Sequence, residues 1–538
     1  MPENLKSADM LAKTLAANGC KRAYGIPGGE VLEIIDAFDR AGIEFLLIKH
    51  ENSGGFMAEG AWHADGHPPI LVATVGPGVA NAVNVVANAM QDRVPLLFIT
   101  GCVDTAEAES YTHQVFDHRK MLDEITKATF TGTPSTCGLI AQKAISIAME
   151  PQAGPVHLDI PVSVAEAAST EDLKVGAVPA PYLPPNVDDV FREAAARLAA
   201  AENPVAIAGV DAVNELAGEA ISAFCRSNSI PLIASYKAKG LLDERDPLSI
   251  GGAGLSPKAD KTLLPFLNQS DCIFLIGYDP IEMRIGWRNP WDTDKTVIEI
   301  TPVLRTHGMH HVSHTIRASV VPALETLSAH INSERTAIPK PAVEARKEFW
   351  DTFSADTEFG PDRVFAVLRE ALPEDTVATA DSGAHRILLS QMWPCYHPRG
   401  LLQSSALCTM ACAVPLAAGY KQASPETPVI AFVGDAGLEM GLGELATLRE
   451  HNIPIIICVL VDESLTLIEM KQRASQRPNL GVDFTGSDFP AVANALGGYG
   501  VWVDDASALK EEAANALTRD SFTVLACRIG RKSYDGKF

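Results

Sequence analysis

Residues 429–467 read VIAFVGDAGLEMGLGELATLREHNIPIIICVLVDESLTL, and this stretch constrains the fold more than any other. Two apolar runs rich in Val and Ile flank a helical pattern, so the sequence predicts a strand over Pro428–Val433 and another over Pro454–Val461. Between them the spacing predicts a tight turn at Gly434-Asp435-Ala436-Gly437 and a helix from about Gly441 to Asn452. Apolar strands separated by a helix form a βαβ unit with parallel pairing. Such sheets bind ligands beyond the carboxyl ends of their strands. Asp435 and Asp462 each follow a strand, so neighbouring strands bring the two carboxylates together. Two acids beside a small-residue turn suit a hard divalent cation carrying a phosphate. Acids at strand ends also cap helices, and spacing alone leaves both readings open.

The chain has 538 residues, enough for three ordinary domains, and its 47% hydrophobic and 21% charged content fits large cores. A net charge of −23 argues against nucleic acid or an anionic membrane as partner, since both need a basic footprint. No apolar run reaches membrane-spanning length, and the first residues read as an amphipathic helix rather than a signal segment. Ten scattered cysteines without a C-x-x-C read as reduced and buried, consistent with a cytoplasmic protein.

Regular β–α alternation predicts three α/β domains, each with a doubly wound parallel sheet: residues 1–168, 190–332 and 343–538. Proline-rich linkers at 169–189 and around Ser333–Pro341 separate them. The first and third blocks share a plan without a tight sequence repeat. Gly251-Gly252-Ala253-Gly254 lacks dinucleotide-grip spacing and reads as loop. Glu51 ends an apolar strand and opens a helix; it could transfer protons or simply favour the helix dipole. His50-Glu51 is not a zincin, because residue 54 is Gly. His113 and Gln114 fall in a polar loop, and Gly383 and His385 could meet a phosphate or merely cap a helix. Neither a P-loop nor a G-x-S-x-G elbow is present.

Taken together, these pieces resemble the thiamine-diphosphate enzymes of the acetolactate synthase and pyruvate decarboxylase superfamily, over nearly the whole chain. YGIPGG (Tyr24–Gly29), KHENSGGFMAEG (Lys49–Gly60), VGPGVANAVNVVANAMQDRVPLLFITG (Val75–Gly101), GPVHLDIPVSV (Gly154–Val164), TMACAVPLAAG (Thr409–Gly419) and Gly434-Asp435…Asp462 are similar to family segments, in order. IGYDPIE (Ile276–Glu282), Asp462 and His113-Gln114 look most like the FAD-independent acetolactate synthases. The resemblance implies pyrimidine-binding, middle and diphosphate-binding domains, with thiamine diphosphate and Mg²⁺ as cofactors and FAD not expected. It makes Glu51 the proton relay and puts Gln114 and His113 at the substrate. Pro27, Gly78, Gly383, Ala384, His385, Cys408, Met410, Gly434, Asp435, Ala436, Gly437, Asp462, Ser464 and Leu465 would line the cofactor. Met410 would wedge it into its bent shape. Asp435, Asp462 and the Ser464 carbonyl would hold Mg²⁺.

The implied reaction is decarboxylation of a 2-oxo acid, pyruvate first, with carboligation to a second carbonyl. Simple decarboxylation is the alternative, and a catalytically silent homologue is the alternative of another class. The chain lacks the paired active-site histidines of many decarboxylases; His310-His311 lies in the middle domain. A homodimer or homotetramer is implied, with active sites between chains. Three departures stand out. Ala436 replaces the usual glycine, which would cost roughly 1 kcal/mol if the position needs a positive φ. Ser404–Cys408 lacks the usual glycines, and Lys471 stands where biosynthetic synthases carry tryptophan.

Overall fold

The computed structural model describes residues 5–538 apart from 105, 109, 173, 305, 306 and 332–334. Ser333 and Glu334, where the second linker is expected to begin, and Leu173 in the first lie outside the described residues. The first sheet contains β1 (Arg22–Gly25), β2 (Glu44–Leu47), β3 (Ile70–Ala73), β4 (Leu97–Cys102), β5 (Ala128–Thr131) and β6 (Val156–Pro161). The second contains β7 (Pro204–Ala208), β8 (Leu232–Ser235), β9 (Ser249–Ala253), β10 (Cys272–Ile276), β11 (Thr296–Thr301) and β12 (His314–Arg317). The third contains β13 (Val377–Ala380), β14 (Leu401–Gln403), β15 (Val429–Gly434), β16 (Ile456–Val461), β17 (Tyr499–Val503) and β18 (Thr523–Arg528). Every pairing is parallel. Strands such as β3, β7, β10 and β16 are buried along their whole length, because helices cover both faces.

The strand order is β2-β1-β3-β4-β6-β5 in the first sheet and β14-β13-β15-β16-β18-β17 in the third. These are one topology, so the likeness of plan between the two blocks extends to every strand. The second sheet runs β12-β11-β10-β7-β8-β9. The first and third layers meet where the helices Glu51–Asp65 and Ala413–Ala423 cross. Glycines make that crossing possible. A Cβ on Gly60 would lie 2.1 Å from the Leu416 carbonyl oxygen, and one on Gly419 would lie 1.8 Å from that of Met57.

Two sequence expectations change. The segment Gly251–Gly254 is not wholly loop, since Ser249–Ala253 forms β9 at the sheet edge. The helix expected from about Gly441 instead starts at Asp435 and runs to Met440; a second piece covers Glu444–Glu450. The supposed tight turn is therefore mostly the first turn of a helix. Gly441 and Gly443, poor helix formers, fall in the break between the two pieces.

Candidate functional site

In the third sheet β13 and β15 are neighbours, while the chain from β13 leads to β14 on one side and that from β15 leads to β16 on the other. A crevice opens between two such strand ends. The turn 382–385 forms one lip and 434–437 the other; Met410, Asp462, Ser464 and Leu465 complete a cavity of about 130 Å³. Parallel register pairs Gly434 with Leu460, which places Asp435 and Asp462 just past the ends of adjacent strands. Both acids are buried. Asp435 accepts from the backbone N–H groups of Ala436 (2.8 Å), Asp462 (3.1 Å) and Glu463 (2.7 Å). Asp462 accepts from the Ser464 N–H (3.3 Å) and the Thr466 hydroxyl (2.5 Å). Burial pushes the Asp435 carboxyl up despite those donors. Burial, with the Asp435 charge adding to it, pushes Asp462 up to about 7. Two crowded, buried carboxylates would be favoured in their ionised form by a cation between them.

Asp381, at the end of β13, organises the other lip. One oxygen bonds the His385 Nε2 (2.8 Å) and the other accepts from the Ala411 N–H (2.7 Å). The second bond holds the loop carrying Met410, where Cys408 and Ala411 both adopt a φ of 62°. Gly437 must lack a side chain, since its Cβ would lie 2.2 Å from Asp381 Oδ2. A Cβ on Gly383 would strike the His385 ring at 2.5 Å. The backbone of both lips is thus left accessible to a ligand.

Glu51 occupies the equivalent end of the first sheet. It is the first residue of the helix Glu51–Asp65, which is held in place where the Lys49 N–H donates to Glu444 (3.3 Å). The Glu51 carboxyl is buried and accepts from the Asn81 amide at 3.0 Å. Gly78 sits directly over it, with Cβ space 3.3 Å from Glu51 Oε1. Gly76 has a φ of 69°, donates its N–H to His118 Nε2 (3.2 Å), and packs its Cα face on Gln114. Gln114 itself has a φ of 60°, and both it and His113 are exposed, as is Pro27. Neither Glu51 nor Gln114 lines the 382–534 cavity; all its walls come from the third domain.

Three family models match this chain in order. They are the thiamine pyrophosphate enzyme N-terminal TPP binding domain (residues 5–122), central domain (191–327) and C-terminal TPP binding domain (381–527). The chain belongs to the thiamine pyrophosphate enzymes. Among curated proteins it is similar to the acetolactate synthase of Bacillus subtilis, 25% identical over 97% of this chain and 92% of the relative. The acetolactate synthase isozyme 1 large subunit of Escherichia coli is 27% identical over 86% of this chain and 83% of the relative. The probable acetolactate synthase large subunit of Methanocaldococcus jannaschii is 28% identical over 86% and 81%. This is a thiamine pyrophosphate-dependent, acetolactate synthase-like enzyme.

In this thiamine pyrophosphate enzyme the third-domain crevice fits a metal–diphosphate group: hard, buried oxygen donors and side-chain-free lips converge there. The expected strain at Ala436 is absent. The residue lies inside the helix Asp435–Met440 and is not among the positive-φ positions. Lys471 is exposed on the helix Thr466–Ala474, whose first turns reach the cavity through Leu467 and Ile468. Sequence reasoning missed Asn81, Asp381, Thr466 and Tyr534. Asp381 alone carried a signal, as an acid ending a strand in the same way as Asp435. No helix among the described residues is long and apolar enough to cross a membrane.

Proposed function

We propose that this enzyme decarboxylates pyruvate and joins the two-carbon unit to a second carbonyl, a reading supported by its similarity to proteins named acetolactate synthases. The observation that carries the reading is the Asp435/Asp462 pair at adjacent strand ends, in a chain similar over most of its length to acetolactate synthases. Asp435, Asp462 and the Ser464 carbonyl would hold Mg²⁺, a hard cation suited to their oxygen donors. When bound, thiamine diphosphate supplies the electron sink that decarboxylation requires. Glu51 holds and returns a proton at the aminopyrimidine end, and Asn81 fixes the direction of its carboxyl. Met410 props the ring system, a positioning role that the Asp381–Ala411 bond secures. Gln114 and His113 sit on the loop against Gly76, where a substrate carboxylate would enter.

The working site, on this reading, pairs Glu51 of one chain with the metal acids of another, in a homodimer or a pair of dimers, as the family resemblance implies; Glu51 lines no part of the third-domain cavity. Two measurements test the reading. Thiamine diphosphate with Mg²⁺ should raise the thermal midpoint of the wild type, and neither alone should do so fully. Pyruvate turnover should give acetolactate with carbon dioxide; acetaldehyde as the sole product would overturn the carboligation. A Glu51→Gln variant should keep the thermal shift while losing roughly 10²-fold or more in turnover.

A further inference from the structure

His307-Gly308-Met309-His310 lies in the middle domain, far along the chain from every residue assigned to the cofactor. It follows β11, and Glu299 projects from that strand. One ligand atom from each of Glu299, His307 and His310 lies within 4.8 Å of the other two. Glu299 and His310 are buried and His307 is half-buried. Two imidazoles and one carboxylate are a donor set for a borderline divalent ion, and three protein ligands leave a fourth position open. The Asp435/Asp462 site offers only oxygen, which suits Mg²⁺.

The surroundings hold the cluster in shape. The ring of His310 packs against Tyr278 at 5.5 Å and Trp291 at 5.1 Å between centroids. The Trp291 indole N–H donates to the His311 carbonyl at 3.0 Å, and the Asn289 N–H to the Met309 carbonyl at 2.7 Å. These bonds pin the H-x-x-H segment from outside. The His307 ring lies 4.7 Å from that of His310, tilted by 51° to it. Its Nδ1 accepts a long bond, 3.3 Å, from the Met309 N–H. Ligation through Nδ1 replaces that bond; ligation through Nε2 moves the ring proton. A tetrahedral ion bound at about 2.0–2.1 Å holds its ligand atoms roughly 3.4 Å apart, so closure takes a movement of the order of 1 Å. His307, the less buried ring, is placed to make it. A cavity of about 350 Å³ reaches Glu299 and His307, and Asp279 on its wall is already paired with Arg93 at 2.7 Å.

We propose that Glu299, His307 and His310 bind a Zn²⁺-class ion in the middle domain, separate from the magnesium site and independent of the reaction assigned above. The test uses the full-length protein saturated with Mg²⁺ and thiamine diphosphate and titrates Co²⁺ as a visible probe. The expected result is one Co²⁺ per chain with a ligand-field band, displaced by Zn²⁺. His307→Ala, His310→Ala and Glu299→Gln should each weaken binding by about 10-fold or more. His311→Ala, which alters a neighbouring exposed histidine, should bind as the wild type does. Folding of each variant is checked by the cofactor-induced thermal shift, which reads the distant third-domain site. No saturable Co²⁺ band in the wild type overturns the proposal, and so does unchanged binding in a folded His307→Ala/His310→Ala double variant.

Discussion

Ala436 shows how one residue can mislead at the level of sequence and be settled by backbone geometry. The family resemblance leads one to expect glycine there, and a left-handed turn would strain an alanine. The chain instead enters a helix at Asp435, and the Ala436 N–H donates to the Asp435 carboxylate at 2.8 Å. Alanine is thus the better helix former at this position. Ala436→Gly should lower stability by up to about 1 kcal/mol in urea denaturation, without raising turnover. A stabilised variant would mean that the alanine is strained after all. Asp435 and Asp462 were legible because an acid at the end of an apolar run has a fixed place in a parallel sheet. Asn81 was not, because a polar residue on a helix gives no sign of which face it occupies. Only the packing of its helix on the one that begins at Glu51 turns its amide towards the carboxyl at 3.0 Å.

At the scale of elements, the apolar runs announced the strands, and the strand order could not be read. Order depends on which helix covers which face, a contact between residues far apart in the chain. Glycine hid β9. Gly251 has a φ of +145°, and a Cβ on it would lie 2.3 Å from the Phe349 ring, so this edge strand admits a helix too closely for side chains. The same device operates where the helices Glu51–Asp65 and Ala413–Ala423 cross, but there backbone meets backbone. Gly419→Ala would drive a methyl to within 1.8 Å of the Met57 carbonyl oxygen. Neither helix can yield without disturbing Glu51 at one helix start or the Met410 loop before the other. The expected loss is ~3 kcal/mol in chemical denaturation. Gly176→Ala, which meets nothing within 4 Å, is the control and should change stability by less than about 0.5 kcal/mol. Equal effects from the two would remove the crossing from its structural role.

In the whole molecule the three domains meet around a buried ammonium. Lys237 of the middle domain lies 3.3 Å from Asp92 and 3.9 Å from Glu59, both of the first. Asp92 also accepts from the Ser405 and Ala406 N–H groups (3.2 and 3.0 Å), tying in the third-domain loop that leads to Met410. With Asp92 the nearer partner of Lys237, burial leaves Glu59 protonated and pushes it up to about 8. The folded state therefore holds this proton more tightly than the unfolded chain does. That contribution to stability is complete below the ordinary carboxylate range and is lost as pH rises through about 8. Glu59→Gln should flatten this part of the stability profile, and an unchanged slope would assign it to other groups. The same architecture sets the largest prediction. The two halves of the proposed cofactor site lie in domains of identical topology, yet Glu51 lines no part of the cavity between residues 382–385 and 434–437. If the halves are completed across a two-fold axis, damage in different halves can be segregated. Glu51→Gln and Asp435→Asn should each be nearly inactive alone. Unfolded together and reassembled at equal concentration, half of the dimers are mixed, and each mixed dimer has one site with an intact Glu51 and an intact Asp435. Activity should return to about a quarter of the wild-type value, as random pairing under two-fold symmetry requires. A mixture that stays as inactive as its parents, while the reassembled wild type recovers, would place Glu51 and Asp435 in one chain's site.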